Sequence, residues 1–335
     1  MTIAFRPRLT PGKAIAVFSP SSNAASKYPI RLQQGIKSLG AALNVEVVLP
    51  AQVTYSTGFT AGSAAQRTQV LEDLLLDDSV TAIICAIGGF NSAEILEHLD
   101  AEVVRRHPKV VVGNSDASAL LLGIYAMGGW ITYFGPAVLP QFGEYPDPFP
   151  FTVHNLQAVI SNETDLTELG DPRAWTQEFA DWGKNPRQRH LKTEGSQRTV
   201  YRTGSGSGIL FGGNIETLNM LIGTPYLKVP MDSIFFWEAH AEEARLERVR
   251  RALTHLRQSG VFSHVRAMLI GRSPRCTEVA GLTLKDIVLE ACEDYDFPII
   301  ANLSFGHTDP ILTLPIGAEA YVVAEQREEA RITLV

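Results

Sequence analysis

Residues 110–125 read VVVGNSDASALLLGIY, and this stretch decides the fold class. The apolar run that ends at Val112 predicts a buried strand, and the tight turn GNSD ends that strand. The apolar segment after the turn predicts a helix, with Gly128 and Gly129 as its stop signal. A buried strand that passes through a tight turn directly into a helix is typical of an α/β protein with a parallel sheet.

The rest of the first half of the chain repeats this alternation. Three further buried strands are predicted by short apolar runs, namely AIAVFSP from Ala14, VEVVLP and TAIICAIGG. Helices are predicted for IRLQQGIKSLGAAL, which ends near Leu43, for SAAQRTQVLEDLLLDD and for the shorter SAEILEHL. Strands alternating with helices imply a parallel sheet covered on both faces, with the active site beyond the carboxyl ends of the strands.

The second half begins differently, because residues 183–208 are polar and basic and predict a linker or a mobile loop. GSGSG at 204–208 lacks the Lys and Ser/Thr of a phosphate-binding P-loop, so we interpret it as flexible linker. Beyond it we expect strands in GILFGGNIETLNMLIG, SIFFWEA and VRAMLIG, a helix closed by Gly260, and a final antiparallel hairpin in AEAYVVAEQREEARITLV.

These patterns predict two α/β domains. The simplest organisation is an N-terminal parallel-sheet domain with a nucleophile elbow (1–165), a linker (166–205) and a smaller C-terminal α/β domain (206–335).

The composition excludes several classes of function. The 335 residues are 45% hydrophobic and 19% charged with a net charge of -7, so the chain has no basic footprint for a nucleic acid. No stretch reaches the roughly 18 apolar residues of a membrane span, and no signal-peptide pattern opens the chain. Cys85, Cys276 and Cys292 have neither metal-ligand spacing nor the number of a disulfide framework. We therefore expect a protein of a reducing, cytoplasmic setting.

Ser115 lies at the turn between the predicted strand and helix, which is the context of a nucleophile elbow. Such a turn lifts the serine Oγ above the sheet edge, and the amide of Asp116 is then placed at a helix N-terminus to hold a developing oxyanion. The familiar pattern is G-x-S-x-G, and Ala117 stands at its last position here. The alternative is that Ser115 is only a helix N-cap.

A second glycine turn, IGGFNS at 87–92, ends the preceding predicted strand. Glycine lets the backbone approach a ligand closely, so an amide of Gly88 or Gly89 is a candidate second oxyanion donor. The alternative is an ordinary strand-to-helix turn.

A nucleophilic serine needs a base and a group that orients the base. His307 is the candidate base, because it follows an apolar strand on a glycine turn in IIANLSFGHTDP. Glu238 closes the apolar strand SIFFWE, where a carboxylate is costly without a partner, so it is the candidate orienting acid. The alternative for His307 is a hydrogen bond within its own turn. The order Ser, Glu, His is also that of α/β-hydrolases.

Five blocks in order resemble the LD-carboxypeptidase family, namely IGGFNS, GNSDASAL, LFGGNIETLNMLIGTPY, IFFWE and FGHTDP. The resemblance extends over nearly the whole chain. It implies that an N-terminal domain carries the nucleophile Ser115 and a C-terminal domain supplies Glu238 and His307. It also implies an oxyanion hole made by the amides of Gly89 and Asp116, and a homodimer that needs no metal.

Within that family, AWTQEFADWGKNPRQR at 174–189 resembles the tryptophan-bearing loop of the microcin C self-immunity carboxypeptidases. This implies cleavage of an amide-type bond in an aminoacyl-nucleotide compound, with Trp175 stacking on adenine at about 1–3 kcal/mol. Asn214 is the candidate to hold polar groups of the substrate. The alternatives are a structural turn for Asn214 and anchoring of the linker for Trp175 and Trp182. Where we would look for a cation after the acid, the chain reads EAHAEE, so His240 is the nearest basic group.

Two other functions are compatible with these residues. The same triad would serve a murein LD-carboxypeptidase that removes the terminal D-alanine of a tetrapeptide during cell-wall recycling. The third possibility is a non-catalytic ligand-binding protein on a hydrolase scaffold, since fold does not determine function.

Overall fold

A computed structural model describes residues 4–161, 167–184, 186–325 and 330–335. None of the helices in these ranges is both long and apolar enough to cross a membrane. The expected domain boundary at 165/166 and the turn of the C-terminal hairpin at 326–329 lie outside the described residues.

The strands of the described chain, in order, are β1 (Ala14–Phe18), β2 (Val47–Val48), β3 (Val80–Cys85), β4 (Val110–Gly113), β5 (Thr132–Phe134), β6 (Thr167–Glu168), β7 (Thr199–Arg202), β8 (Gly204–Asn214), β9 (Ser233–Glu238), β10 (Val265–Gly271), β11 (Ile299–Leu303), β12 (Leu314–Ile316), β13 (Glu319–Ala324) and β14 (Ala330–Leu334).

The α-helices of the same ranges are α1 (Ala24–Lys27), α2 (Pro29–Leu43), α3 (Ala64–Leu76), α4 (Ala101–Arg106), α5 (Ser118–Gly128), α6 (Pro150–Ile160), α7 (Ile215–Leu221), α8 (Leu246–Gln258) and α9 (Leu284–Ala291). The segment SAEILEHL, predicted as a short helix, forms only one 3₁₀ turn at Ser92–Ile95.

The N-terminal sheet confirms the parallel α/β prediction. Its order in the described chain is β12-β5-β4-β3-β1-β2, and β2, β1, β3, β4 and β5 pair in parallel. Every residue of β1, β3 and β4 is buried, which agrees with strands that are apolar along their whole length because helices cover both faces. β12 comes from the second half of the chain and pairs antiparallel with β5, so the two halves share this sheet.

The second sheet has the order β6-β14-β13-β8-β9-β10-β11-β7 among the described residues. β8, β9, β10 and β11 run parallel, and antiparallel strands flank them on both sides. The predicted C-terminal hairpin is present as β13 and β14, and the helix predicted to close at Gly260 is α8, after which Gly260 has a φ of +83°. Eight strands lie in this sheet and six in the first, both counted over the described chain.

The interpretation of GSGSG as flexible linker is wrong. These residues open β8 and pair with β13 on one side, and the strand continues beside β9 on the other. A Cβ on Gly206 or Gly208 would collide with the carbonyl oxygens of Arg266 and Asp232, so glycine lets neighbouring backbone approach closely here. The strand prediction for GILFGGNIETLNMLIG is also too long, because α7 begins directly after Asn214.

Four segments of the candidate site converge because they all lie at the carboxyl ends of parallel strands. Ser115 follows β4 and Gly89 follows β3 in the first sheet. Glu238 is the last residue of β9, and His307 follows β11 in the second.

Candidate active site

Ser115 lies in the turn between β4 and α5 with a φ of +57°. Few residues other than glycine adopt this left-handed conformation, and such strain is concentrated at functional sites. The hydroxyl Oγ lies 3.1 Å from Nε2 of His307. No side-chain cap bond is present at the start of α5, so the N-cap alternative does not describe this serine.

His307 connects the two halves of the site. Its Nδ1 lies 2.8 Å from Oε2 of Glu238, so the imidazole joins this carboxylate to the Ser115 hydroxyl. Burial alone would lower the pKa of His307, but the carboxylates of Glu238, Glu243 and Asp309 outweigh it and raise the pKa above 6.5. The arrangement suits a base that accepts a proton from Ser115 and is stabilised once charged.

Glu238 is fully buried at the end of β9. Burial raises the pKa of a carboxyl group, but the charge and hydrogen bond of His307, with a hydrogen bond from Asn214, hold the pKa of Glu238 below its ordinary value. The carboxylate is therefore ionised where it faces Nδ1, which keeps the proton of a neutral His307 on Nδ1 and frees Nε2.

Asn214, the candidate to hold polar groups of the substrate, is not among the described residues that line the cleft. Its Oδ1 caps α7 by accepting from the amides of Glu216 and Thr217, at 3.1 and 3.0 Å. Its Nδ2 donates to Oε1 of Glu238 at 3.2 Å and to Oε2 of Glu243 at 2.7 Å. Both polar atoms of its side chain are thus engaged within the protein, one of them with Glu238.

The two expected oxyanion donors belong to turns that touch each other. Gly89 has a φ of +154°, and a Cβ there would collide with Oγ of Ser21. At Gly88 a Cβ would lie 3.0 Å from Cβ of Ser115 and 3.1 Å from the amide nitrogen of Asp116. The glycines therefore bring the backbone after β3 against the backbone of the nucleophile.

The side chain of Asp116 ties these two turns together. Its buried Oδ2 accepts from the amides of Asn91 and Ser92, at 3.1 and 3.0 Å. Burial raises the pKa of Asp116, and these hydrogen bonds oppose the increase. The aspartate thus acts as a brace, a role that the sequence pattern did not reveal.

The cleft above Ser115 has a volume of about 410 Å³. Residues from both halves of the chain line it, among them Gly88, Gly89, Phe90, Arg31, Gln177, Phe179, Trp182, Arg189, His240, Arg275 and Asp309. A pocket of this size, lined by both polar groups and aromatic rings, accommodates part of a small organic molecule.

Trp175 lies outside this cleft, contrary to the expected stacking role. Trp175 is only 5% exposed to solvent, and its Nε1 donates to the carbonyl oxygen of Glu194 at 2.7 Å. The ammonium of Lys192 and the guanidinium of Arg272 lie 4.0 and 4.7 Å from the ring centroid. These contacts are those expected of a ring that anchors its loop.

Trp182 is the tryptophan that lines the cleft. The guanidinium of Arg31 lies 4.8 Å from its ring centroid, and Phe179 and Tyr28 pack on it at 5.8 and 5.4 Å. Seven positions separate it from Trp175, and the loop resemblance alone does not distinguish the two.

Arg189 fastens the loop to the floor of the cleft. It donates from Nε to Glu144 and from Nη2 to Asp309, both at 2.9 Å, and from Nη1 to the carbonyl of Glu178 at 3.1 Å. Asp309 lies two positions after His307, so the loop and the turn of the base are coupled. Arg189 belongs to the basic stretch 183–208, for which the sequence predicts a linker or a mobile loop. Its neighbours in the sequence do not indicate that its side chain is buried.

His240 stacks on the ring of His307, with a centroid distance of 4.1 Å and an interplanar angle of 7°. Loss of water around its ring and the nearby charge of His307 lower the pKa of His240 to about 4. It is therefore neutral near pH 7 and does not supply the positive charge sought after Glu238.

Two family models match this chain. The model described as LD-carboxypeptidase N-terminal domain matches residues 15–135, and the one described as LD-carboxypeptidase C-terminal domain matches residues 207–322. The two matches span the sheet that carries Ser115 and most of the sheet that carries Glu238 and His307.

Three curated relatives align with almost the whole chain. A putative carboxypeptidase of Vibrio cholerae is 32% identical over 94% of this chain and 93% of its own. The microcin C7 self-immunity protein MccF of Escherichia coli is 29% identical over 93% of this chain and 90% of its own. A probable murein peptide carboxypeptidase of Bacillus subtilis is 26% identical over 95% and 92%, respectively.

Two solved structures share the fold over the full length. MccF in complex with aspartyl sulfamoyl adenosine superposes with a TM-score of 0.90 at 26% identity, covering 100% of this chain and 98% of that one. An MccF-like protein from Bacillus anthracis gives a TM-score of 0.89 at 31% identity, with 99% of both chains covered.

Proposed function

The chain belongs to the LD-carboxypeptidase family of serine peptidases, and from this premise we propose that it hydrolyses an amide-type bond of an aminoacyl-nucleotide compound through an acyl-enzyme on Ser115. The observation that carries the proposal is the pair of hydrogen bonds through His307, at 2.8 Å to Glu238 and 3.1 Å to Ser115. Membership of an enzyme family disfavours the non-catalytic alternative.

In the proposed reaction, Oγ of Ser115 attacks the substrate carbonyl while Nε2 of His307 takes its proton. The amides of Gly89 and Asp116 hold the oxyanion of the tetrahedral intermediate. His307 then donates the proton to the leaving nitrogen, and the bond between carbon and nitrogen breaks. Water, activated by His307, releases the acyl group from Ser115 in the second half of the cycle.

The cleft supports a nucleotide-like leaving group. Arg275 lines it, and a guanidinium group suits phosphate or sulfamoyl oxygens, whereas Arg31 and Arg189 are paired with carboxylates of the protein. Trp182 and Phe179 provide aromatic surface at the same cleft, and Phe179 is 72% exposed. A base that stacks there would gain about 1–3 kcal/mol. MccF has been solved with aspartyl sulfamoyl adenosine and with glutamyl sulfamoyl guanosine, ligands of this chemistry.

The test is hydrolysis of aspartyl sulfamoyl adenosine by the purified protein, followed by liquid chromatography and mass spectrometry. We expect aspartate and sulfamoyl adenosine as products, and no turnover by Ser115→Ala. Intact compound after prolonged incubation with active, folded enzyme would contradict the assigned substrate.

A murein tetrapeptide is the second candidate, favoured by the 26% identity to a probable murein peptide carboxypeptidase. The same triad would release the terminal D-alanine. Mass spectrometry of a muropeptide mixture distinguishes the two candidates, because only this activity shortens the tetrapeptide by one alanine. An unchanged muropeptide profile excludes it.

A further inference from the structure

His240 lies two positions after Glu238, where the chain has left β9 and begins to turn back. Its ring lies parallel to that of His307, within 7°, with 4.1 Å between centroids. The amide of His240 is held by Oε2 of Glu243 at 3.4 Å. The stacked ring of His240 therefore belongs to the same chain segment as Glu238.

The two hydrogen bonds of His307 leave one motion of its ring unrestrained. The two bonds leave from the two ring nitrogens, Nδ1 to Glu238 and Nε2 to Ser115. A tilt of the ring about the line between these nitrogens changes neither distance much, but it misaligns the proton with its partners. A flat side chain packed on one face of the ring opposes this tilt.

The charges around His240 argue for a role of its ring rather than of its proton. Glu238 raises its pKa, whereas burial, His307 and Arg275 lower it more strongly, to a value of about 4. Glu243 is the other carboxylate that faces this segment, through the His240 amide. A histidine that is neutral near pH 7 stacks on His307 without repelling the positive charge that His307 acquires in the reaction.

We propose that His240 is a positioning residue whose ring, stacked on His307, holds the imidazole in the plane that joins Glu238 to Ser115. The proposal rests on the proposed function, because it assumes that His307 transfers the proton of Ser115. It assigns no contact with substrate to His240.

The test uses a fluorophosphonate probe, which reacts with an activated serine whatever the natural substrate is. Inactivation kinetics give a maximal rate and a half-saturation concentration for the wild type and for His240→Ala, His240→Phe and His240→Lys. We expect His240→Ala to lower the maximal rate about tenfold and to leave half-saturation unchanged. His240→Phe keeps a flat ring and should recover most of the rate, whereas His240→Lys keeps a basic group without a ring and should not.

The pH at half-maximal rate adds a second readout. It should be the same in His240→Ala and His240→Phe, since the ring acts through geometry. Equal rates in all four proteins would overturn the proposal, as would a phenylalanine variant as slow as the alanine variant. A wild type that the probe does not label at Ser115 would instead contradict the proposed function. Thermal unfolding of each variant identifies any loss of rate that comes from misfolding.

Discussion

Nε2 of His307 lies 3.1 Å from Oγ of Ser115, although 192 positions separate the two residues in the chain. The serine belongs to the first sheet and the histidine to a turn after the second. Ser115 and His307 are thus brought together by the packing of two sheets. A substitution in either turn should lower the reaction rate more than it lowers the stability of the fold.

Replacement of the nucleophile gives the first prediction. Ser115→Ala should reduce kcat by about 10³-fold or more, because the acyl-enzyme cannot form while binding is preserved. Steady-state hydrolysis of aspartyl sulfamoyl adenosine measures this. Ser263→Ala, at an exposed serine bonded to its own turn, is the matched control and should retain full activity. A Ser115→Ala enzyme with near-normal kcat would remove this serine from the mechanism.

The second prediction concerns pH. His307 must be neutral to accept the proton, and neighbouring carboxylates raise its pKa, so the acidic limb of kcat/KM should have its midpoint above pH 6.5. Glu243→Gln removes one of these negative charges and should move the midpoint to lower pH. The pH profiles of both enzymes check this. A midpoint that stays in place, or rises, in Glu243→Gln would contradict the assignment of the limb to His307.

The third prediction concerns the glycine turn beside the nucleophile. Gly89→Ala should destabilise the protein by about 1–3 kcal/mol and lower kcat strongly, because φ is +154° and the new Cβ would collide with Ser21. Urea unfolding and kcat together measure the change. Gly170→Ala is the control, since a Cβ there meets no atom within 4 Å. Normal kcat in Gly89→Ala would exclude this turn from the oxyanion hole.

The fourth prediction separates the two roles of Asn214. Asn214→Ala removes the cap of α7 and the hydrogen bond to Glu238, so it should cost about 1–2 kcal/mol of stability and also lower kcat. Asn214→Asp retains the cap but places a third carboxylate beside Glu238 and Glu243, so it should lower kcat without loss of the cap. Unfolding curves and kcat of both variants distinguish these effects. A raised KM with normal kcat would instead restore Asn214 as a substrate ligand.

The fifth prediction compares the two tryptophans of the loop. Trp182→Ala should raise KM for an aminoacyl-nucleotide substrate about tenfold or more, because it removes aromatic surface from the cleft. Trp175→Ala should leave KM nearly unchanged but cost about 3–5 kcal/mol of stability, because its ring is buried under Lys192 and Arg272. The reverse pattern would show that Trp175 is the one that meets the substrate.

The sequence predicted the first sheet well because its signals are local. A strand such as VVV is apolar along its length, and in a helix such as α2 the apolar residues recur at helical spacing. Both can therefore be recognised without reference to distant residues. The turn at Ser115 is likewise marked by its neighbours. The catalytic roles of Ser115, Glu238 and His307 came partly from the family resemblance and stay predictions until the variants above are measured.

Other features had no local signal. GSGSG has the composition of a linker, yet it forms part of β8 because β13 supplies hydrogen-bond partners from another part of the chain. Trp175 and Trp182 belong to the same loop, but Lys192 and Arg272 pack on Trp175, whereas Trp182 lines the cleft. Composition indicates which secondary structure a segment favours, whereas the residues packed around it determine which one it forms.

The sequence alone therefore determined the α/β class, the parallel first sheet and the position of the serine turn, since periodicity and turn chemistry act over a few residues. Only the tertiary structure placed His307 between Glu238 and Ser115, buried Trp175, exposed Trp182 to the cleft and stacked His240 on His307. These relationships join residues that are far apart in the chain or differ only in their surroundings. They arise when two sheets pack together, and no local pattern encodes that packing.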